Sequence, residues 1–390
     1  MSEVCPQMKC CGCSACAQIC PVGCISMVED PEGFLFPEID QGKCIDCGKC
    51  KKVCPVLNAT PAAKPAFGYA YRTNDDALLR RTSSGGFFSL LAENVLRDGG
   101  VVFGASFDEH NEVFHTFIES VEDLDLLRRS KYVQSRIGNS FVECLKFLNA
   151  GRKVLFCGTP CQIKALNLFI GKKWDNLITV DFVCHGVPSP GVFRRYLVEI
   201  CGKYHESVSD IEEINFREKI AGFAYGFSLM IKDKKYTENP RENMFLKGFL
   251  SDLYLRKSCH HCSAKNFTSG ADYTMCDFWG IEKILPTFPK HNIPGVSQVF
   301  VTDDRLSVFA NPASTIRVAT FDVNNRKLTQ RWVFDSVPCT KRRSSFFDQY
   351  FSSIPIGESV SEICKRTPGE MAVALVRRLL GRAKRIVGLK

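Results

Sequence analysis

Cysteine is the residue type that decides what chemistry this chain can do. The stretches "KCCGCSACAQICP" (Lys9–Pro21) and "KCIDCGKCKKVCP" (Lys43–Pro55) superimpose at an offset of 34 positions: Cys10 on Cys44, Cys13 on Cys47, Cys16 on Cys50, Cys20 on Cys54 and Pro21 on Pro55. Each copy reads C-x2-C-x2-C-x3-C-P, a spacing that wraps three thiolates around one face of a cubic iron-sulfur cluster and sends the fourth to a neighbouring cluster. Crossed in this way, one [4Fe-4S] site takes Cys10, Cys13, Cys16 and Cys54, and the other takes Cys44, Cys47, Cys50 and Cys20. Thiolates are the soft anionic ligands that iron prefers. The small residues Gly12, Ser14, Ala15 and Gly48 let backbone N–H groups approach the cluster sulfurs.

Other uses of so many thiols fit the pattern less well. A disulfide framework belongs to a secreted chain, whereas "MSEVCPQMKC" has neither a basic n-region nor an apolar h-region. Zinc sites join two C-x2-C pairs across a spacer rather than running four cysteines in one series. The C-x3-C-x2-C spacing of radical S-adenosylmethionine enzymes does not occur. Between the two copies, "CISMVEDPEGFLFPEI" places short extended runs on either side of Asp30-Pro31-Glu32-Gly33, which predicts a hairpin. The first sixty residues thus resemble a bacterial two-cluster ferredoxin, with Cys5, Cys11 and Cys24 out of register and read as packing residues.

The elements that must position this chemistry lie in a longer body. With 390 residues, 45% hydrophobic, the chain can bury a large core in two or three domains. We expect a ferredoxin domain over 1–57, a linker over 58–66 ("NATPAAKPA"), a main domain over 67–345 and a helical basic tail over 346–390. No run of eighteen apolar residues occurs, so no membrane span is expected. Twenty-one cysteines without a leader point to a reducing, cytoplasmic setting. From Phe67 on, β-rich runs alternate with amphipathic helical patterns, so the fold class expected is α/β or α+β on a mixed sheet. "SSGGFFSLLAENVLRDGG" reads as a glycine turn and a helix with Phe87, Leu90, Leu91 and Val95 on one face; "VVFGASF", "KVLFCG", "LITVDF" and "SQVFVTD" read as strands. Cys161 and Cys184 then fall at strand ends, where open α/β sheets place their chemistry.

Several motifs resemble the coenzyme F420 hydrogenase/dehydrogenase beta subunit family: "SSGGFFSLLAENVLRDGGVVFGASFDE", "SKYVQSRIG", "KVLFCGTPCQIKAL", "DFVCHGVPSP", "INFREK" and "SCHHCSAKNFTSGADYTMCDFWG". The likeness is nearest to the bacterial branch with a fused ferredoxin domain, whose members accompany polysaccharide-biosynthesis enzymes. It implies an iron-sulfur flavoprotein oxidoreductase that moves electrons between clusters, FAD and an organic acceptor. It also implies a third [4Fe-4S] cluster on Cys161, Cys184, Cys259 and Cys262. By residue type alone, Cys161 and Cys184 read equally as small core residues, and Cys259 with Cys262 as half of a zinc site shared with Cys276 and His260 or His261. The sequence departs from the family at Cys157, where serine or threonine is common nearby, and at Cys276, where glycine is.

Dinucleotide and triphosphate fingerprints are absent. The flavin candidate is "TSSGGFF", where Ser83, Ser84, Gly85 and Gly86 put hydroxyls and backbone N–H groups before a helix N-terminus, although the serines would serve equally as helix caps. Lys131 and Tyr132 add a cation and an aromatic ring. A flavin would join one-electron clusters to two-electron substrates. The path expected runs from a donor protein such as ferredoxin, through the clusters, to FAD and a deazaflavin-like or saccharide-linked acceptor. His185, Arg217 and Lys219 are candidates for binding an anionic substrate. The alternative is an electron-transfer subunit that feeds a partner enzyme.

The tail Lys365–Lys390 holds eight Lys/Arg against one Glu, most of the net charge of +9. Val373, Val376, Leu379, Leu380, Ile386 and Val387 recur at helical spacing, which predicts a basic amphipathic helix suited to the inner face of a membrane. The nearly neutral remainder argues against a nucleic-acid-binding body.

Overall fold

The offset-34 repeat reappears in the backbone of the computed structural model, which describes residues 3–62, 65–219, 225–281, 295–302, 315–321, 323 and 329–365. Gly12 and its equivalent Asp46 adopt left-handed φ values of 68° and 49°, as do Ser14 and Gly48 at 58° and 71°. Each pair of left-handed residues bends the cysteine loop sharply before a short helix, Ala15–Gln18 in one copy and Lys49–Lys52 in the other. Gly12 has a second constraint: a Cβ there would lie 2.8 Å from Nη1 of Arg256.

The hairpin between the copies pairs β1 (Ile25–Glu29) with β2 (Leu35–Ile39) antiparallel. Its turn is held by Asp30, whose carboxylate accepts from the Phe34 N–H at 2.8 Å. Gly33, at φ 87°, presses against the main body so closely that a Cβ would lie 2.4 Å from the Gly191 nitrogen.

The main body is built on an eight-stranded sheet. Its strands are β3 (Phe67–Thr73), β4 (Val101–Phe107), β5 (Val113–Ile118), β6 (Val154–Gly158), β7 (Leu177–Phe182), β11 (Tyr273–Asp277), β12 (Ser297–Val301) and β13 (Thr315–Phe321), in the order β13-β3-β12-β11-β7-β6-β4-β5. The centre, β4-β6-β7-β11, is parallel and both flanks are antiparallel. Central strands covered on two faces should be apolar throughout, and Val101, Val102, Phe103, Val154, Leu155 and Phe156 are all fully buried. Val101, Phe103 and Phe156 pack on helices Ser140–Asn149 and Pro160–Ile170; Val102 and Leu155 pack on helix Phe87–Arg97 across the sheet. On that last helix Phe87, Leu91 and Val95 are buried and Leu90 is half-buried.

A second sheet, β10-β9-β8, uses β8 (Ile211–Glu218), β9 (Gly226–Ile231) and β10 (Lys234–Glu238). It shares an aromatic core, including Phe193, Phe216, Phe227, Phe245, Tyr254 and Phe346, with helices Pro190–Lys203, Met244–Leu250, Lys341–Phe351 and Ile356–Ile363. The mixed α/β architecture expected from the sequence is therefore present. The basic helix expected around Val373–Val387 lies outside the described residues. Among the described residues no helix is long and apolar enough to cross a membrane.

Candidate functional site

Two cavities are lined by cysteine. In the first, Cys10, Cys13, Cys16 and Cys54 face one space, the crossed set that the spacing predicts. All four are buried. The Gly12 N–H reaches Cys10 Sγ at 3.4 Å, a donor to sulfur of the kind that stabilises a thiolate. The other set lies on the outer side of the module: Cys50 is buried, Cys20 and Cys44 are half-buried, and Cys47 is exposed.

The second cavity is lined by Cys161, Cys184, Cys259 and Cys262, brought together by three local devices. Cys161 sits in the first turn of helix Pro160–Ile170, behind a capping box of Thr159 and Gln162. A helix N-terminus favours a thiolate. Cys184 follows the end of β7, in the loop before Ser189 caps the next helix. Cys259 lies in the tight turn Lys257–His261, with Cys262 just beyond it, and the Val187 N–H points at Cys259 Sγ at 3.4 Å. Burial raises Cys259 to about 12 and holds Cys184 and Cys262 above an ordinary thiol. At Cys161 the contact with Cys11 is the first cause of the same upward shift. Thiols in this state ionise when a metal cation supplies the compensating charge.

The surroundings supply positive charge. Arg256 is 1% exposed and lines this cavity, and Lys164 is 2% exposed with its amine on the Ser263 carbonyl at 3.1 Å. Lys265 donates to the carbonyls of Cys184 and Trp332, both at 2.7 Å. Buried cations whose hydrogen bonds run to neutral acceptors fit a net-anionic group, and four thiolates around an iron-sulfur cubane form one. The residues present therefore fit the group.

The zinc alternative is not assembled. Cys276 bonds to Gln298 at 3.3 Å, and His260 Nδ1 lies 3.2 Å from the Val337 carbonyl. Among the described residues no three His, Cys, Asp or Glu side chains converge as tightly as a single metal ion requires.

Three cysteines read as packing residues have a closer relation to the sites. Cys5 touches Cys10 and Cys54, Cys24 lies 3.4 Å from Cys20, and Cys11 touches Cys13 and Cys161 while lining both cavities. The cations escaped sequence reasoning altogether. A signal for them exists: Arg256 precedes Cys259 by three residues, while Lys164 and Lys265 follow Cys161 and Cys262 by three.

The flavin candidates form a separate group. Ser83 Oγ accepts from Ser130 Oγ at 3.0 Å, and Ser84 Oγ donates to the Val296 carbonyl at 2.9 Å. Gly85 is a glycine because a Cβ would lie 2.1 Å from the Tyr71 carbonyl oxygen. Gly86, at φ 94°, is the N-cap of helix Phe87–Arg97. Arg217 donates to the Ser83 carbonyl at 3.2 Å and to Tyr132 Oη at 3.1 Å, pairs with Asp277 at 2.9 Å, and lies under the Tyr225 ring. The Lys219 amine bonds to the carbonyls of Leu79 and Ser84, and that of Lys131 to those of Leu126 and Arg128. Desolvation lowers both lysines to about 7, aided at Lys219 by Arg217 and at Lys131 by Arg129. The group thus gathers two desolvated lysines, an arginine whose charge is met by Asp277, and the rings of Tyr132 and Tyr225. His185 stands apart from this group, in the thiol cavity, 2.6 Å from Asp252 and edge-on to Trp332.

A paired-repeat cysteine module docked on a mixed-sheet body with its own thiol cavity defines an iron-sulfur electron-transfer protein of oxidoreductase type. Family comparison agrees. Residues 9–58 match the 4Fe-4S dicluster domain, and residues 151–323 match the family described as the C terminus of the coenzyme F420 hydrogenase/dehydrogenase beta subunit. Both matches fall on one polypeptide. Among solved structures it is similar to a chain of the F420-reducing [NiFe] hydrogenase complex from Methanosarcina barkeri, at 15% identity and a TM-score of 0.46, covering 75% of this chain and 94% of that one. No curated protein matches it.

Proposed function

We propose that this protein is an iron-sulfur flavoprotein oxidoreductase that takes electrons from a ferredoxin-like donor protein and passes them to a deazaflavin-like or saccharide-linked acceptor. The observation that carries this reading is the convergence of Cys161, Cys184, Cys259 and Cys262 on a cavity that shares Cys11 with the cavity of the dicluster domain. When bound, clusters supply one-electron transfer and FAD supplies the change to two-electron chemistry that organic acceptors need.

In this reading the two crossed thiol sets and the main-body set are the ligands of three [4Fe-4S] clusters. Exposed Cys47 opens the outer set to a donor protein. Buried Cys10, Cys13, Cys16 and Cys54 keep water from the inner set. Arg217, Lys219 and Lys131 would be the residues to hold the flavin's phosphates, and Tyr132 and Tyr225 would supply aromatic contacts to it. The same residues serve the reverse direction.

The test is anaerobic purification with iron, sulfide, zinc and flavin measured on one sample. About twelve iron per chain with FAD supports the reading. About eight iron with FAD returns the main-body thiols to a structural role. Zinc without flavin overturns it. Turnover of an acceptor by the isolated chain separates an enzyme from a subunit that only feeds a partner.

A further inference from the structure

Arg256 is the point at which the two buried thiol sites meet. Its Nε donates to the Cys10 carbonyl at 2.7 Å, its Nη1 to Gln134 Oε1 at 3.0 Å and its Nη2 to the Leu35 carbonyl at 2.9 Å. The guanidinium lies over the ring of Phe36, 4.2 Å from its centroid, and also lines the cavity of Cys161, Cys184, Cys259 and Cys262. Gln134 ties the arrangement down by donating to the Cys11 carbonyl at 2.9 Å. These three acceptors are neutral, and the guanidinium also hydrogen-bonds the Cys10 side chain. The Asp30 carboxylate is near enough to feel its field but accepts its own bond from the Phe34 N–H. Lys164 reinforces the charge, since its amine is within the field of Cys11, Cys262, Cys54 and Cys161, thiols of both cavities.

Resting on the three-cluster reading above, we propose that Arg256, reinforced by Lys164, is a field-setting residue that raises the reduction potential at the inner dicluster site and at the main-body site together. Each reduction adds a negative charge, and a fixed buried cation stabilises that charge through a medium of low dielectric. The set around Cys47 is partly exposed, so solvent and salt screen it from the same field. The consequence is directional: an electron that enters at the outer set finds both inner sites more favourable.

The experiment is a potentiometric titration followed by electron paramagnetic resonance, on anaerobically prepared full-length protein and its Arg256→Gln, Arg256→Lys and Lys164→Met variants. Iron content and the number of wild-type signals decide the three-cluster reading independently of any shift. Arg256→Gln should lower the potentials of the inner and main-body sites, changing the reduced-to-oxidised ratio at fixed potential about tenfold, or about 59 mV for a one-electron couple. The outer site should stay in place. Arg256→Lys should restore most of the change and Lys164→Met should shift the same two sites downward, effects that a merely structural role would not produce. Unchanged potentials in a fully loaded Arg256→Gln protein, or equal shifts at all three sites, would overturn the proposal. If Arg256→Gln fails to load iron, Lys164→Met decides in the same way.

Discussion

Single side chains separate what is interchangeable at the thiol sites from what is not. Cys184 contributes little to packing, since the loop after β7 is already held by the Val183 N–H on Met275 and the Ser189 N–H on Tyr254. Cys184→Ser should therefore leave the fold intact while removing one of the four thiols proposed to hold the main-body cluster. Iron analysis should then find about four fewer iron per chain, with the dicluster signals retained; unchanged iron would return Cys184 to the core. The spacing argument is strongest at this scale. Eight of the twelve candidate ligands follow from C-x2-C-x2-C-x3-C-P, because a cubane demands that local geometry. Cys161 and Cys184 carry no such mark, and Cys11 was set aside because it breaks the register. Its role depends on Cys161, far away in the chain.

At the scale of elements, the hairpin is the plug that seats the dicluster module. Glu32 at its tip is buried and paired with Arg343 at 2.5 Å and Lys257 at 3.0 Å, and Arg343 also donates to the Leu255 carbonyl. Burial alone would raise the Glu32 carboxyl, but Arg343 and Lys257 outweigh it and hold it below the usual range. A depressed carboxylate stabilises the fold above its unfolded pKa, and that contribution fades as pH falls through the folded value. Glu32→Gln, which leaves Arg343 buried without its anion, should cost on the order of 3 kcal/mol near neutrality. In thermal melts over a pH series, the gap between wild type and variant should close on the acid side; a gap independent of pH would mean that the ion pair is not its source.

The helix Lys49–Lys52 makes a kinetic prediction. Lys49, Lys51 and Lys52 are exposed beside Cys47, and exposed Ile45 adds an apolar contact. Positive charge around an entry point steers acidic partners, with a rate that falls as salt rises. Converting the three lysines to glutamate should slow reduction by an acidic donor protein about tenfold at low salt. Reduction by dithionite, which needs no docking, should be unaffected. Equal slowing of both would point to damage at the cluster instead.

For the whole molecule, the thiol sites and the fold form one thermodynamic system. Without iron, burial holds the main-body thiols beside Arg256 and Lys164 protonated, so on that side the interface between module and body keeps two desolvated cations without the anionic group that suits them. Anaerobic chelation should accordingly lower the calorimetric melting temperature by on the order of 10 °C. Iron-free protein that melts with the loaded form would show that the cavities are not built around metal.

The sequence by itself determined the two cysteine loops of the dicluster module, the hairpin, the central strands and the helix that carries Cys161. All of these are local: they follow from cysteine spacing, turn residues and hydrophobic period, which act over fewer than about twenty residues. Only the tertiary structure decided that Cys161, Cys184, Cys259 and Cys262 share a cavity, that Cys11 and Arg256 stand between that cavity and the thiol cavity of the module, and that Arg217 and Lys219 join the serine-glycine loop while His185 does not. Those outcomes depend on the order of strands in the sheet and on how the hairpin seats against Gly191. Both are set by the burial of surfaces distant in the chain, and no local pattern encodes which of those surfaces will meet.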